Sequence, residues 1–340
     1  MLFTEGVQLD MFKSRFLLIT SSLILLAGLI LGACAQATPP LTTPTAISPA
    51  ETVTLRIVVL PILDTLPMYV AQQKGYFDAQ GVKVEFIPAG SAAERDQIIA
   101  AGQGDGMVND LVSTLFYNQD TIQIQIVSLA RTATSEFPQY SILAAGNSGI
   151  SSVEGLKGVE IGISEGSVIA YTTDRLLQAE GLSPDQIKTI AVPKIGERMA
   201  LLGSGELKAA NLPDPLSSLA IQSGAIPILN DTKHPELGNS EISFRKVVID
   251  EHPQAIRGFL IAVEQAIKEI NADPSQWESL LTEQKLVPEP LIGTYKIPPF
   301  PTGSVPSEAQ WADVLAWAKE KGLISKDVSY SDSVTAEFLP

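Results

Sequence analysis

Short apolar runs alternate with amphipathic stretches along most of the chain, and the first such pair is the clearest. Leu55 to Leu60 is a β-branched, mostly apolar run, which is typical of a buried parallel strand. Asp64 to Pro67 then provides a capping oxygen and a proline for a first helical turn, and Met68 to Lys74 predicts a short helix. Such a unit delivers polar groups to a ligand at a strand end. It is equally the ordinary building unit of any α/β domain.

The same alternation continues and predicts the rest of the secondary structure. Further strands are predicted at 82–87, 105–109, 122–129, 141–145, 159–163, 189–192, 207–212, 225–229 and, as a β-rich run, 243–249. Further helices are predicted at about 91–102, 111–117, 164–180, 197–202, 215–222, 253–271, 274–282 and 307–321. Because alternating strands and helices favour parallel pairing, we expect two α/β lobes with parallel sheets, followed by a helical tail.

The amino-terminal segment has the pattern of an export signal. Lys13 and Arg15 precede an apolar run at 16–31, and small residues then lead to Cys34. This resembles the lipobox of bacterial lipoproteins, which implies a signal peptide at 1–33 and a lipid anchor on Cys34. A transmembrane anchor with an incidental cysteine is the alternative, although the apolar run is short for it. Residues 34–51, rich in Ala, Thr, Pro and Ser, predict a flexible tether.

Acidic residues are unusual within an export signal, and two of them precede Met11. Glu5 and Asp10 therefore make Met11 an alternative start of translation.

The composition excludes several classes of function. The 340 residues carry 38 acids and 23 bases, a net charge of −15, which disfavours nucleic acid as a partner because phosphate binding needs basic patches. One cysteine permits no internal disulfide. The two histidines lie outside any HxxxH or HExxH spacing, so we expect no metal site, no cofactor and no Cys/His catalytic site.

Four short motifs in a fixed order carry a resemblance to a known family. They are DTLPMYVA with KGYF from Asp64 to Phe77, GQGDGMVND at 102–110, LKG at 156–158 and LKAANLPDP at 207–215. Behind a lipobox, this order resembles the solute-binding proteins of ABC importers, in the branch that includes sulfonate, nitrate, taurine and thiamine-pyrimidine-precursor binders. The resemblance covers roughly 53–325.

The resemblance implies the type II periplasmic-binding-protein fold, two α/β lobes joined by a two-strand hinge. One crossover is expected near 143–147 and the return near 240–247. Lobe 1 is then discontinuous, at 52–145 and 241–340, and lobe 2 is 146–240. The implied partners are a membrane permease with its ATPase and a small-molecule ligand. We expect an exported monomer, lipid-anchored to the outer face of the cytoplasmic membrane or periplasmic, and not an enzyme.

In such a fold the loops between strands and helices face the cleft. They nominate as ligand-binding residues Asp64, Thr65, Tyr69, Ser91, Ala92, Asn109, Asp110, Ser164, Glu165, Ser167, Tyr171, Pro213 and Asp214. Each has a plainer role open to it. Ser91, Asp110 and Asp214 are suited to capping helices, and the two tyrosines are suited to packing between helix and sheet as well as to stacking on a planar ligand.

The charge of these loops suggests the kind of ligand. Asp64, Asp110, Glu165 and Asp214 fall on them with few bases nearby, which favours a neutral or cationic, nitrogen-rich ligand over sulfonate or nitrate. Small anions remain the alternative.

Two rival functions belong to other classes. One relative in this superfamily is a pyrimidine synthase that consumes its own histidine, but His234 and His252 lie outside the predicted cleft loops. No activated nucleophile accompanies the carboxylates. A sensor or scaffold without transport is the second rival.

Overall fold

The computed structural model describes residues 52–340. The predicted signal peptide, Cys34 and nearly all of the tether therefore lie outside the described residues. Within 52–340 the strands are β1 Val53–Val59, β2 Val82–Pro88, β3 Gly106–Asn109, β4 Ile124–Thr132, β5 Tyr140–Ala144, β6 Glu160–Ile163, β7 Lys188–Ala191, β8 Ala209–Pro213, β9 Ile226–Asn230 and β10 Asn239–Arg245.

The helices of this part of the chain begin at strand ends or follow one another in the tail. They are α1 Leu66–Gln73, α2 Tyr76–Ala79, α3 Ala92–Ala100, α4 Leu111–Asn118, α5 Val168–Ala179, α6 Ile195–Ser204, α7 Leu216–Gln222, α8 Lys246–Glu251, α9 Pro253–Ala272, α10 Glu278–Glu283, α11 Glu308–Glu320 and α12 Tyr330–Ser333. No helix between residues 52 and 340 is both long and apolar enough to cross a bilayer.

The strands form two mixed five-stranded sheets, which confirms the predicted two-lobed α/β fold. The first sheet has the order β2-β1-β3-β10-β4 and the second β7-β6-β8-β5-β9. Each sheet has two parallel and two antiparallel pairings, so parallel pairs do not dominate. The antiparallel pairings arise because β10 enters the first sheet, and β5 the second, as the chain crosses between them.

The chain changes sheet earlier than the sequence predicted. β4 lies in the first sheet and β5 in the second, so the first crossover is 133–139, whereas the predicted boundary followed residue 145. The return is 231–238, between β9 and β10, and so also lies before the predicted range of 240–247. The β-rich run at 243–249 is also corrected, because the strand ends at Arg245 and α8 begins at Lys246.

Each sheet has its own apolar core. The first core joins β1, β2 and β10 to α1 and α9, and within it Phe259 stacks on Phe77 and meets Phe244 edge to face. The second joins the second sheet to α5, α11 and the buried face of α4. The tail helix α11 therefore packs on α4, which follows a strand of the first sheet, and on α5, which follows a strand of the second. Trp317 of α11 donates a hydrogen bond to Asp174 of α5 at 2.7 Å.

Candidate functional site

A cavity lies between the two sheets, where strand ends meet helix N-termini. Its volume is about 60 Å³, room for roughly four to six water molecules at 10–15 Å³ each. Its lining comprises Leu60, Ile62, Asp64, Ala92, Arg95, Val108, Asn109, Asp110, Gln139, Tyr140, Ser164, Ser167, Val168, Ile169, Ile195, Pro213 and Ser240. A mostly apolar wall with a few convergent polar groups is typical of a small-molecule site.

A buried ion cluster joins the two lobes beside this cavity. Arg131, near the end of β4, has Nη1 3.5 Å from Asp64 Oδ1 and Nη2 3.4 Å from Asp214 Oδ2. Burial opposes the charge of Arg131, but Tyr295, Asp64 and Asp214 outweigh it and raise the pKa of the guanidinium. Tyr295 also donates a hydrogen bond to Asp214. Both carboxylates therefore share one buried cation, and neutral donors, Ser240 for Asp64 and Tyr295 for Asp214, complete their hydrogen bonding.

A second buried pair occupies the α3–α4 side of the cavity. Arg95 Nη2 lies 3.6 Å from Asp110 Oδ2, and Arg95 Nε donates to Asp96 at 2.8 Å. Burial raises the pKa of Asp110 above its ordinary value, while Arg95 and the backbone N–H of Ser113 act in the opposite direction. Asp110 is thus both the cap of α4 and the partner of a buried cation.

The two crossovers are tied together by one carboxylate. Asp231 Oδ1 accepts a hydrogen bond from the backbone N–H of Gln139 at 2.9 Å, and Oδ2 accepts one from Tyr140 at 3.0 Å. Burial raises the pKa of Asp231 to about 7, although these two donors lower it. A Cβ at position 238 would lie 2.1 Å from Asp231 Oδ2, so the close approach requires Gly238.

Two further buried ionisable groups lie close to the cavity. Both carboxyl oxygens of Glu241 on β10 are buried without a hydrogen-bond partner, and burial raises the pKa of Glu241 well above its ordinary value. Arg198 on α6 donates to Ser164 Oγ at 2.8 Å and has no ion-pair partner within residues 52–340. Burial lowers the pKa of Arg198 to about 10.

The structure brings about half of the predicted site residues to the cavity. Those that line it are Asp64, Ala92, Asn109, Asp110, Ser164, Ser167 and Pro213. Those that do not line it are Thr65, Tyr69, Ser91, Glu165, Tyr171 and Asp214. Ser91 caps α3 through Glu94 N–H at 3.2 Å, and Thr65 Oγ1 donates to the Ile62 carbonyl at 2.9 Å.

Neither predicted stacking tyrosine lies at the cavity. Tyr171 packs edge-on against Trp317 and donates to Asp313 at 2.6 Å, on the face of α5 that meets α11. Tyr69 packs against Phe86, with ring centroids 4.6 Å apart. Glu165 is solvent-exposed.

Several cavity residues escaped the sequence prediction. Gln139 lies in a crossover with no periodic pattern, and the buried Arg131, which lies beside the cavity, was not among the predicted site residues. Arg95 could have been identified from the sequence, because it shares one face of α3 with Ala92 and Ile99, and this is the face that packs against the rest of the protein. Within residues 52–340, no group of three or more His, Cys, Asp or Glu side chains has the arrangement of a metal site.

Comparison with known proteins supports one family. A family model described as NMT1/THI5 like matches residues 63–277. Among curated proteins, the riboflavin-binding protein RibY of Chloroflexus aurantiacus is 24% identical over 351 residues, covering 92% of this chain and 95% of RibY.

Solved structures share the fold at lower identity. The alkanesulfonate-binding protein SsuA of Xanthomonas axonopodis pv. citri, bound to MOPS, superposes with a TM-score of 0.69 at 18% identity, covering 84% of this chain and 99% of that one. The nitrate-binding protein NrtA of Synechocystis gives a TM-score of 0.67 at 16% identity, covering 85% and 87%. At identities this low, the superpositions show only that the fold is shared.

Proposed function

Because the chain belongs to the NMT1/THI5-like family, we propose that it is an extracytoplasmic solute-binding lipoprotein of an ABC importer. It closes its two lobes on a small organic ligand and delivers that ligand to a membrane permease driven by a cytoplasmic ATPase. The observation that carries the proposal is the cavity between the lobes, to which both sheets contribute strand ends and polar side chains. We expect a monomer, held at the membrane by acyl chains on Cys34.

The paired charges favour an uncharged ligand. Arg131 pairs with both Asp64 and Asp214, Arg95 pairs with Asp110 and Asp96, and Glu165 lies outside the cavity. The carboxylates therefore attract a cationic ligand less than their number suggests, because each of the buried ones already has an arginine as a partner. A neutral, nitrogen-containing ring that packs on the apolar wall remains the favoured ligand, and the riboflavin-binding relative is consistent with that class.

A small anion is the second candidate. Arg198 lies behind Ser164 at the second-lobe side of the cavity with two buried nitrogens, Nε and Nη2, that have no hydrogen-bond partner. A sulfonate or nitrate near Ser164 would be attracted to this uncompensated charge.

An enzyme or a sensor without transport is less well supported. His234 and His252 both lie outside the cavity, so neither is positioned as a histidine substrate. A sensor would bind ligand in the same cavity but would not associate with a permease.

Native mass spectrometry of freshly purified protein tests the proposal, followed by calorimetry with a pyrimidine, riboflavin, ethanesulfonate and nitrate. A ligand at 100 times its dissociation constant adds about 2.7 kcal/mol to the stability. We expect Ala92→Phe to abolish binding by filling the cavity, whereas Ala93→Phe, on the exposed side of the same turn, leaves it intact. Equal binding by the two variants would contradict a site in this cavity.

A further inference from the structure

We propose that Gln139, in the first crossover, determines the ligand specificity of this cavity by accepting a hydrogen bond from an N–H group of an uncharged ligand. The inference rests on the proposed function, because it names the chemistry of the molecule bound at that site. Gln139 is only 1% exposed and lines the cavity, and its buried Oε1 has no hydrogen-bond partner among residues 52–340. A buried acceptor left unpaired is costly, so a ligand that supplies the missing donor is favoured.

The neighbours of Gln139 determine which way its amide points. Nε2 lies 3.3 Å from Asp64 Oδ2 and 3.3 Å from Ser240 Oγ. Ser240 donates its own hydroxyl proton to Asp64 at 2.6 Å, so its oxygen faces Gln139 as an acceptor. A flipped amide would put its carbonyl oxygen 3.3 Å from a carboxylate oxygen and from a hydroxyl that already donates to that carboxylate, and would gain only the more distant Tyr140 hydroxyl, at 3.5 Å, as a donor. The amide therefore presents Oε1, and not Nε2, as its free group.

Arg95 supplies the complementary donor. Its side chain is buried at 3% exposure and lines the same cavity, and within residues 52–340 its Nη2 makes no hydrogen bond, since Asp110 Oδ2 is 3.6 Å away. Its charge is met by Asp96 and Asp110, so the free N–H suits a carbonyl oxygen without attracting a net anion. An acceptor and a donor without hydrogen-bond partners on a mostly apolar wall suit an uncharged ligand with N–H beside C=O, as in a cyclic imide.

Asp231 is the positioning residue for this acceptor. Its two carboxylate oxygens hold the backbone N–H groups of Gln139 and Tyr140 from the opposite crossover. The acceptor thus belongs to the segment that connects the lobes, and a ligand bound to it contacts the hinge directly.

Calorimetry on the full chain with three probes tests the inference: uracil, 1,3-dimethyluracil, which lacks N–H groups, and ethanesulfonate. We expect wild type to bind uracil at least tenfold more tightly than dimethyluracil. Dimethyluracil makes one neutral hydrogen bond fewer and leaves the Gln139 acceptor unpaired, and the loss of about one such bond corresponds to a factor of this size. Gln139→Met should weaken uracil at least tenfold and dimethyluracil less than twofold. Gln72→Met is the matched control, since Gln72 is exposed and bonds only to the Val84 carbonyl.

Every outcome decides the matter. Equal binding of uracil and dimethyluracil by wild type overturns the inference without need of a folded variant, and so does equal weakening of both by Gln139→Met, which a merely structural role would produce. Binding of ethanesulfonate alone overturns the inference and leaves a solute-binding function standing. If none of the probes binds, a co-purified molecule held equally by wild type and Gln139→Met overturns the inference, and one lost selectively from Gln139→Met supports it. No probe bound and no co-purified molecule overturns both proposals.

Discussion

Arg131 near the end of β4 contacts Asp214 just after β8, so a cation from the first sheet meets a carboxylate from the second. Its Nη1 donates to the Asp214 carbonyl at 3.2 Å, and its Nη2 lies 3.4 Å from Oδ2 of the same residue. All of these groups are buried. This contact lies next to the first crossover, where Arg131 also donates to the Pro138 carbonyl at 3.2 Å, so it connects hinge, cavity and both lobes.

Removal of Arg131 should therefore destabilise the protein strongly. Arg131→Met leaves Asp64 and Asp214 buried without their cation, and we expect the free energy of unfolding to fall by about 3–5 kcal/mol in urea titrations. Arg257→Met is the control, because Arg257 donates only to the exposed Glu337 carbonyl, and we expect a loss below about 1 kcal/mol there. Similar losses in both variants would contradict a structural role for the buried cluster.

Asp231 should make the stability depend on pH. Its pKa is about 7 in the folded protein and about 3.9 in an unfolded chain, so the folded state binds the proton more tightly. Protonation of Asp231 therefore contributes up to about 4 kcal/mol to the free energy of unfolding. This contribution is full below about pH 4 and is lost as the pH rises through about 7.

The variant Asp231→Asn has no carboxyl to titrate at this position. We expect it to lack this part of the decline when urea unfolding is compared at pH 4.5, 5.5, 6.5 and 8, whatever constant offset its altered hydrogen bonds cause. Asp78→Asn, which changes an exposed carboxyl on α2, should retain the wild-type slope. Parallel curves for wild type and Asp231→Asn would show that Asp231 does not titrate in this range.

The hydrogen bond from Trp317 should hold α11 to the second lobe. Trp317→Phe removes the N–H that meets the Asp174 carboxylate at 2.7 Å, and we expect a loss of about 1.5–3 kcal/mol beyond the lost packing. Trp277→Phe is a matched control, because the indole N–H of Trp277 is buried without a partner. If urea unfolding gives equal losses for the two variants, the bond to Asp174 contributes nothing measurable.

A further prediction concerns the lipidation of Cys34, a residue that lies outside the described part of the chain. Two acyl chains anchor a protein stably where one chain does not, at about 0.8 kcal/mol per buried CH₂. Cys34→Ser should leave the protein unprocessed or released from the membrane, as judged by fractionation and by the mass of the mature chain. A processed and still membrane-bound variant would refute the lipobox interpretation.

The local features of the fold were predictable from neighbouring residues. Helix caps depend on contacts within one turn, and Ser91 and Asp110 accept the backbone hydrogen bonds expected of them, whereas α7 has Pro215 and not Asp214 at its N-cap. Strand–helix alternation likewise predicted the order of the elements. Local prediction has a limit even here: the sequence Ser91-Ala92-Ala93-Glu94 has the pattern of a capping box, in which the Glu accepts from the Ser N–H, but Glu94 accepts from Gly90 N–H instead.

The cavity itself depended on contacts between distant residues. Asp64 was expected to cap α1, but it meets Arg131, Gln139 and Ser240, which lie 67 to 176 positions away. No pattern along the chain encodes such pairings, because they are formed only when β10 enters the first sheet and the two crossovers run side by side.

The sequence alone thus determined the class of fold, the order of its elements and the loops from which the site is built, since hydrophobic periodicity and capping act over a few residues. Only the tertiary structure decided which side chains face the cavity and what charge they present. Tyr171 points toward α11 because α5 buries the face that carries it against Trp317. The carboxylates attract a cation less than expected because buried arginines pair with them. Burial makes an unpaired charge costly, and the partner that offsets this cost is supplied by residues that only the fold brings together.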